Sequence, residues 1–407
     1  MKFDVFLSIC QTEVDGFTPN ERQMFQNFFD QARLADELGY GTAWVAETHL
    51  SCQVQKENAD AVIPHFKGEI GLNTDLLQVA HLIFAQTKRI NVGSAIRNII
   101  CNGGPIAHAE AVRTFLTLNS LQPSSGRKLE LGFAAGRFPF SNTPYGMLAR
   151  TPIEKAAWDV VKNKYFAQAA EIFLRFVKGE KFASKDVSVQ TLKASDFREP
   201  AQWAKVQEAD KRESGRVRDE IPLACHWTFD KVGVIPFEAP LENLRLTLGS
   251  HDPAVQIAAN KILPVGVFNL SITPEKVIDE THARMREHFH KDGGPWRRDL
   301  MPRTVLLFLD ETPGLSPEER SQRAKAQAKR AWENYWKAME KTLDPAKVES
   351  AVSNTIAGNA NEVAAQIKAK YHPDDRLMLW FDFNNHDNEA VKASMRVFTE
   401  QVIPKLG

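Results

Sequence analysis

The segment Leu34-Ala35-Asp36-Glu37-Leu38-Gly39-Tyr40-Gly41-Thr42-Ala43-Trp44-Val45-Ala46-Glu47-Thr48-His49 reads as a helix, a glycine stop, a strand and then a set of polar groups. Upstream of it, Phe25, Phe28, Phe29 and Ala32 join Leu34, Ala35 and Leu38 near helical spacing, which predicts a helix over 21–38. Gly39 suits the left-handed residue that ends such a helix. Thr42 to Ala46 is apolar on both faces, as a strand covered by helices on a parallel sheet must be. Glu47, Thr48 and His49 then fall at the strand's C-terminal end. In a parallel barrel only strand ends and loops reach solvent, so chemistry collects there.

The same alternation runs outward. Strands are expected at 3–9, 42–46, 89–96 and 128–134, with helices at 21–38, 75–86, 106–119 and 153–177 between and after them. No hairpin separates these four units, which argues for parallel pairing. Lys181 to Asp230 breaks the pattern: it is rich in charge, lacks a sustained apolar period, and reads as an insertion crossing one end of the fold. Strands are again expected at 244–248, 265–270, 303–309 and 376–382. Helices are expected at 253–262, 274–290, 316–342, 361–370 and 388–403, with Thr273-Pro274 and Ser316-Pro317-Glu318-Glu319 as helix starts. Eight strands alternating with helices favour a (β/α)8 TIM barrel over an open doubly wound sheet. It would be one domain over 1–407, with the insertion at about 181–230 after the fourth strand–helix unit.

The chain has 407 residues, 43% of them hydrophobic, enough for a sizeable core. Lysine plus arginine is 51 and aspartate plus glutamate is 51, so no net charge draws it to nucleic acid or an anionic membrane. The four cysteines, Cys10, Cys52, Cys101 and Cys225, form no CxxC pair and no disulfide framework. The N-terminus lacks an apolar signal region, and no stretch reaches the length of a membrane span. A soluble, reducing, cytoplasmic setting is expected.

Several segments together resemble the bacterial luciferase-like flavin monooxygenase family. Ala35 to His49 resembles its A-x-E-L-G-[YF]-x-x-[VA]-W-x-x-E-H-H, and Thr87 to Ile96 its T-x-R-I-x-[LVF]-G-[ST]-x-[VI]. Pro105, Ala109-Glu110, Ser125-Gly126-Arg127 and Leu131-Gly132 follow its P…A-E…S-x-G-R…G order. Pro240 with Leu244 to Ser250 resembles its strand and phosphate-binding turn, and Ser394 to Phe398 with Val402-Ile403-Pro404 its ending. Two departures stand out. The E-H-H is Glu47-Thr48-His49 here, and the missing first histidine speaks against light emission. The usual D-x-L-S-x-G-R is stretched to Asn119 through Arg127.

Candidate site residues follow from position and from this resemblance. His49, just past a strand end, suits proton transfer because its ordinary pKa of about 6.5 lies near working pH; a loop histidine bonded to structure is the plainer alternative. Glu47 suits a structural partner at the same mouth. Gly249-Ser250-His251-Asp252-Pro253 links a strand to a helix, where free backbone N–H groups suit a phosphate, although any capped helix starts this way. Gly132 to Arg137 ends the fourth strand: Gly136 and its small neighbours leave room for a flat ring, and Arg137 suits a phosphate or flavin oxygen. Ser94 and Ala95 would lie along the ring's edge. Cys10, Cys52 and Cys101 fall near strand ends without pointing to a thiol nucleophile. His81 and His108 read as packing, and His282, His288 and His290 as surface residues rather than a metal site.

The resemblance implies an FMN-dependent monooxygenase that uses reduced flavin and O2 on a small organic substrate. The insertion would be its lid, a separate flavin reductase its partner, and a homo-oligomer its state. A deazaflavin-dependent dehydrogenase on the same barrel, or a non-catalytic flavin-binding protein, are the alternatives.

Overall fold

Glu21 to Leu38 forms one helix because both ends are capped. The Asn20 side chain accepts the Gln23 N–H at 2.8 Å, and Gly39 closes the helix at φ 85°. In the computed structural model, which describes residues 1–50, 75–123, 126–136, 141–339 and 345–407, this helix buries Met24, Phe28, Ala32 and Ala35 against the sheet.

The elements in chain order are β1 (Lys2–Leu7), α1 (Glu21–Leu38), β2 (Thr42–Val45), α2 (Leu76–Gln86), β3 (Asn91–Asn98), α3 (Gly104–Ser120) and β4 (Leu129–Ala134). Then come α4 (Pro152–Ala156), α5 (Trp158–Lys178), β5 (Gln190–Lys193), α6 (Pro200–Ser214) and β6 (Glu220–Leu223). The second part holds β7 (Leu244–Leu248), α7 (Pro253–Asn260), β8 (Val265–Val267), α8 (Glu275–His288), β9 (Arg303–Leu309), α9 (Pro317–Met339) and α10 (Pro345–Asn354). It ends with β10 (Ile356–Gly358), α11 (Ala360–Lys370), β11 (Arg376–Trp380), α12 (Asn388–Val397), a π-helical turn at Phe398–Val402, and α13 (Ile403–Leu406).

The fold is α/β, built on a nine-stranded parallel sheet ordered β10-β9-β11-β1-β2-β3-β4-β7-β8. All eight strands expected from the sequence are in it, and β10 is an addition. The first and last long strands are neighbours: Val5 of β1 pairs with Ala43 of β2 on one side and Leu379 of β11 on the other. Beyond the ladder, Asn269 makes a parallel bridge with Arg303 at the start of β9. Its N–H donates to the Pro302 carbonyl at 2.9 Å, and its own carbonyl accepts from Thr304 at 3.1 Å. β10 pairs with the far end of β9, Ile356 opposite Leu307.

The charged stretch 181–230, in which no sustained apolar period was legible, carries regular structure. It contains the antiparallel pair β5–β6 and helix α6, and it buries Leu192, Trp203, Val206, Ile221 and Leu223. These elements pack on α4 and α5, the outer helices. The start of α8 also differs: Pro274 occupies the cap position, while Thr273 Oγ1 accepts the Leu270 N–H at 2.9 Å. Ser316 caps α9 as expected, with Glu319 Oε2 accepting the Ser316 N–H at 2.7 Å and Ser316 Oγ accepting the Glu319 N–H at 3.2 Å.

At the N-terminal strand ends a buried ion cluster ties four strands together. Arg376 of β11 donates to both Glu130 oxygens at 2.6 and 2.7 Å, to Asp4 at 2.6 Å and to Thr42 at 2.8 Å. The opposite ends of the strands carry the cavity.

Candidate active site at the C-terminal strand ends

A cavity of about 500 Å³ opens at the C-terminal ends of β1, β2, β3, β4, β7 and β11. Parallel strands place these ends on one side, so residues far apart in sequence meet there. Glu47, His49, Ala95, Gly136, Gly249 and His251 of the expected site all line it. Ser94 sits just behind, and Ser250 is not among the lining residues. Arg137 and Cys52 lie outside the described residues.

Glu47 and His49 form a pair. His49 Nε2 donates to Glu47 Oε1 at 2.9 Å, and Ser94 Oγ donates to Glu47 Oε2 at 3.0 Å. Both side chains are buried, yet both face the cavity. Burial alone would raise the Glu47 carboxyl; the charge of Arg97 and the His49 hydrogen bond outweigh it and hold the group below its ordinary value. With Nε2 committed to a carboxylate, Nδ1 is the other ring nitrogen of His49.

Arg97 was not legible as a site residue, and His108 reads from sequence as packing. The structure joins them behind Glu47. Arg97 Nε donates to His108 Nδ1 at 2.8 Å, which leaves the hydrogen of His108 on Nε2, donating to the Cys101 carbonyl at 2.9 Å. Burial, and then the Arg97 charge, push His108 down to about 4, so it is neutral at working pH. A neutral imidazole accepting from a buried guanidinium fixes that cation in place. His81 stacks on Phe115 at 4.4 Å, a packing role, and His282 accepts the Trp296 indole N–H at 2.9 Å.

One face of the cavity is made by small residues: Ala95, Ala134, Ala135, Gly136 and Gly249. Two of them have no room for a larger group. Gly136 has φ +74°, and a Cβ there would lie 2.2 Å from Asn98 Nδ2; a Cβ on Gly249 would meet Ile96 Cδ1 at 2.7 Å. The glycine at 249 thus lets the Ile96 side chain and Ala134 approach the end of β7 closely. The peptide between Ala95 and Ile96 is cis, where the β3–β4 register shifts.

The turn at the end of β7 is a capped helix start. Asp252 Oδ1 accepts the Ala254 N–H at 2.8 Å, and Pro253 has no N–H to offer. Ser250 Oγ accepts from the Asp252 N–H at 3.2 Å and keeps its own hydrogen. His251 Nε2 is held 3.0 Å from Asn269 Oδ1.

No residue of 181–230 is among those lining the cavity, so the lid expected of that segment has no counterpart in the described residues. The opposite wall was missed. There Ser8 donates from its backbone to Asp382 Oδ2 at 2.9 Å and from Oγ to Asp382 Oδ1 at 3.0 Å, while Trp380 Nε1 donates to Ser8 Oγ at 2.6 Å. Its sequence signal was position: Ser8 and Asp382 fall at the ends of the first and last expected strands, 3–9 and 376–382, as Glu47 follows the second.

Residues 1–158 match the luciferase-like monooxygenase family. That luciferase-like portion runs from β1 to the start of α5 and contains Glu47, His49, Ser94 and Arg97. By sequence, no curated protein matches the chain. Among solved structures, the monooxygenase RslO1 from Streptomyces bottropensis aligns over 100% of both chains at 18% identity and TM-score 0.67. The oxygenating constituent of 3,6-diketocamphane monooxygenase from Pseudomonas putida, solved with FMN, aligns over 100% of this chain and 99% of that one at 14% identity and TM-score 0.58. An F420-dependent secondary alcohol dehydrogenase, solved with an F420–acetone adduct, aligns over 100% and 99% at 14% identity and TM-score 0.57. At such identities the likeness is one of fold. No described helix is long and apolar enough to cross a membrane.

Proposed function

We propose that this chain is a flavin-dependent oxidoreductase, an FMN-dependent monooxygenase acting on a small organic substrate, and that β1 to β4, β7 to β9 and β11 form a (β/α)8 barrel. The isolated bridge between Asn269 and Arg303 supports this reading, since it lies where such a barrel would close, between β8 and β9. The observation that carries the functional reading is the buried Glu47–His49 pair facing a cavity of about 500 Å³ at the strand ends.

The residues present fit a flavin. Ala95, Ala134, Ala135 and Gly136 leave a flat face for a ring system, and Ser250 retains a hydroxyl hydrogen, beside His251, for a phosphate oxygen. With Asp252 occupying the α7 start, Ser250 rather than the helix terminus is the phosphate donor in this reading. When bound, a reduced flavin supplies electrons to dioxygen, chemistry the side chains cannot perform alone. The chain's own contributions are position and protons. His49 Nδ1 holds or releases a proton at the cavity, and Glu47 orients the ring through Nε2. The apolar lining, with Phe6, Ile96, Phe268 and Leu270, keeps water from the reacting atoms. A separate reductase would deliver the reduced flavin.

Titration of the protein with FMN and with F420, followed by oxygen uptake with reduced FMN and candidate substrates, tests this. Binding of FMN with substrate-dependent oxygen consumption is expected. Binding of F420 in its place, with alcohol oxidation in the absence of oxygen, would make the chain a dehydrogenase, and FMN binding without any turnover would make it a flavin carrier.

A further inference from the structure

The wall formed by β1, the end of β11 and α9 touches no flavin atom in the reading above, where only Phe6 serves, as apolar lining; it is built of packed aromatic rings. Phe6, Tyr335, Trp380 and Phe383 all line it. Their rings interlock: Trp380 lies 4.3 Å from Phe6 at 39° and 4.9 Å from Phe383 at 76°, and Tyr335 lies 5.2 Å from Phe383. A flat ring placed against such faces gains stacking and edge contacts that an alkyl chain does not.

Ser8 is a polar point built into this wall. A hydroxyl has one donor and two acceptor positions. On Ser8, the Trp380 indole N–H fills one acceptor at 2.6 Å and Asp382 takes the donor at 3.0 Å. The second acceptor position lies in a corner shared with the thiol of Cys10, a weak donor that reaches Ser8 and Thr12 and that a stronger donor displaces. It suits an incoming O–H. Should Asp382 carry a proton on Oδ1, that proton points to Ser8 Oγ, and the serine hydrogen turns outward to a carbonyl.

The corner disfavours negative charge. Burial pushes the Cys10 thiol up to about 11, with Asp382 adding to the effect, and burial pushes Asp382 itself up to about 6. Besides Cys10, the titratable groups lining the cavity among the described residues are Glu47, His49, Cys101, His251 and Tyr335; no described lysine or arginine lines it.

We propose that this wall is the substrate subsite, and that it takes a neutral aromatic ring bearing a hydroxyl or carbonyl oxygen, the ring against Trp380 and Phe383 and the oxygen at Ser8. The assignment of that ligand as substrate rests on the flavin reading, because the small-residue face across the cavity is then the cofactor's. Isothermal titration of the full-length protein, with and without FMN, tests it using 1-naphthol, naphthalene, naphthalene-1-sulfonate and decanal as probes. 1-Naphthol should bind about tenfold more tightly than the sulfonate or the aldehyde. Trp380→Leu and Phe383→Leu should each weaken it by about tenfold with FMN binding unchanged. Ser8→Ala should weaken 1-naphthol several-fold and leave naphthalene unaffected. Equal binding of sulfonate or decanal, undetectable 1-naphthol binding, or 1-naphthol binding unchanged in both ring variants overturns the proposal. The wild-type probe ranking needs no variant to fold. If the ranking holds while FMN does not bind, the cofactor reading falls and the aromatic subsite stands; if FMN binds and the ranking fails, the subsite alone falls.

Discussion

At the scale of single residues, the site depends on a charge that never touches the cavity. Arg97 sits behind Glu47, is held by neutral His108, and together with the His49 hydrogen bond keeps the Glu47 carboxyl below its ordinary value although burial raises it. His49 keeps its orienting partner only while Glu47 is ionised. In the wild type, then, the acidic limb of the pH–rate profile should lie below the ordinary glutamate value of 4.5. Arg97→Met removes the opposing charge and should move that limb up by about one pH unit or more. Arg97→Lys should restore most of the shift, which a simple loss of packing would not allow. A profile unchanged in the methionine variant would show that Arg97 has no electrostatic role. His49→Ala should lower turnover by about 10²-fold or more while flavin affinity stays the same, read by stopped-flow and by titration.

At the scale of elements, α1 is tied through Asp36 to the turn that leads into β3. Its carboxylate accepts backbone N–H groups from Lys88, Arg89 and Ile90 at 2.9, 2.7 and 2.7 Å. Burial opposes ionisation there, but the three donors win and the pKa is lowered from 3.8. A depressed carboxylate stabilises the fold above its unfolded value, and that contribution is lost as pH falls through the lower folded value. Asp36→Ala leaves three donors without their acceptor and should cost about 2–3 kcal/mol near neutral pH, with a smaller difference below pH 3, measured by urea unfolding. The same helix shows why much of the fold was readable. Its apolar spacing, Asn20 cap and Gly39 stop are local signals, and β2 is a short apolar run beside them. Helix α6 was not readable because Lys205, Glu208, Lys211 and Arg212 surround the narrow stripe of Trp203, Val206 and Asp210 that it buries. β10 has only three residues, too few for a pattern. In the site, Glu47 and His49 showed as polar groups closing a strand. Ser8 with Asp382, 374 residues apart, and Arg97 with His108 depend on pairings that local spacing does not encode.

At the scale of the whole molecule, the strands are held at one end by charge and left open at the other for chemistry. Asp4, Glu130 and Arg376 lie on three strands and are fully enclosed, with Trp44 Nε1 donating to Asp4 at 2.7 Å. Burial raises Asp4 in spite of Arg376, whereas the two-pronged contact with Arg376 holds Glu130 low in spite of burial. Arg376→Met would strand two buried carboxyls and should cost about 3–5 kcal/mol. The loss should be greater at pH 8 than at pH 5, because acid lets the stranded groups protonate; equal losses at both pH values would mean the cluster acts by shape alone. The N-terminal cluster and the C-terminal cavity use different residues, so this variant should lose stability before it loses flavin affinity.

The central claim is that a flavin lies at the C-terminal strand ends, its ring on the face of Ala95, Ala134 and Gly136 and within reach of His49. A crystal structure of the protein soaked with FMN measures this directly. The account predicts the ring on that face, with the phosphate at Ser250 and the aromatic wall of Trp380 and Phe383 still open. A flavin seated on the aromatic wall, or a cavity left empty at saturating FMN, would contradict it.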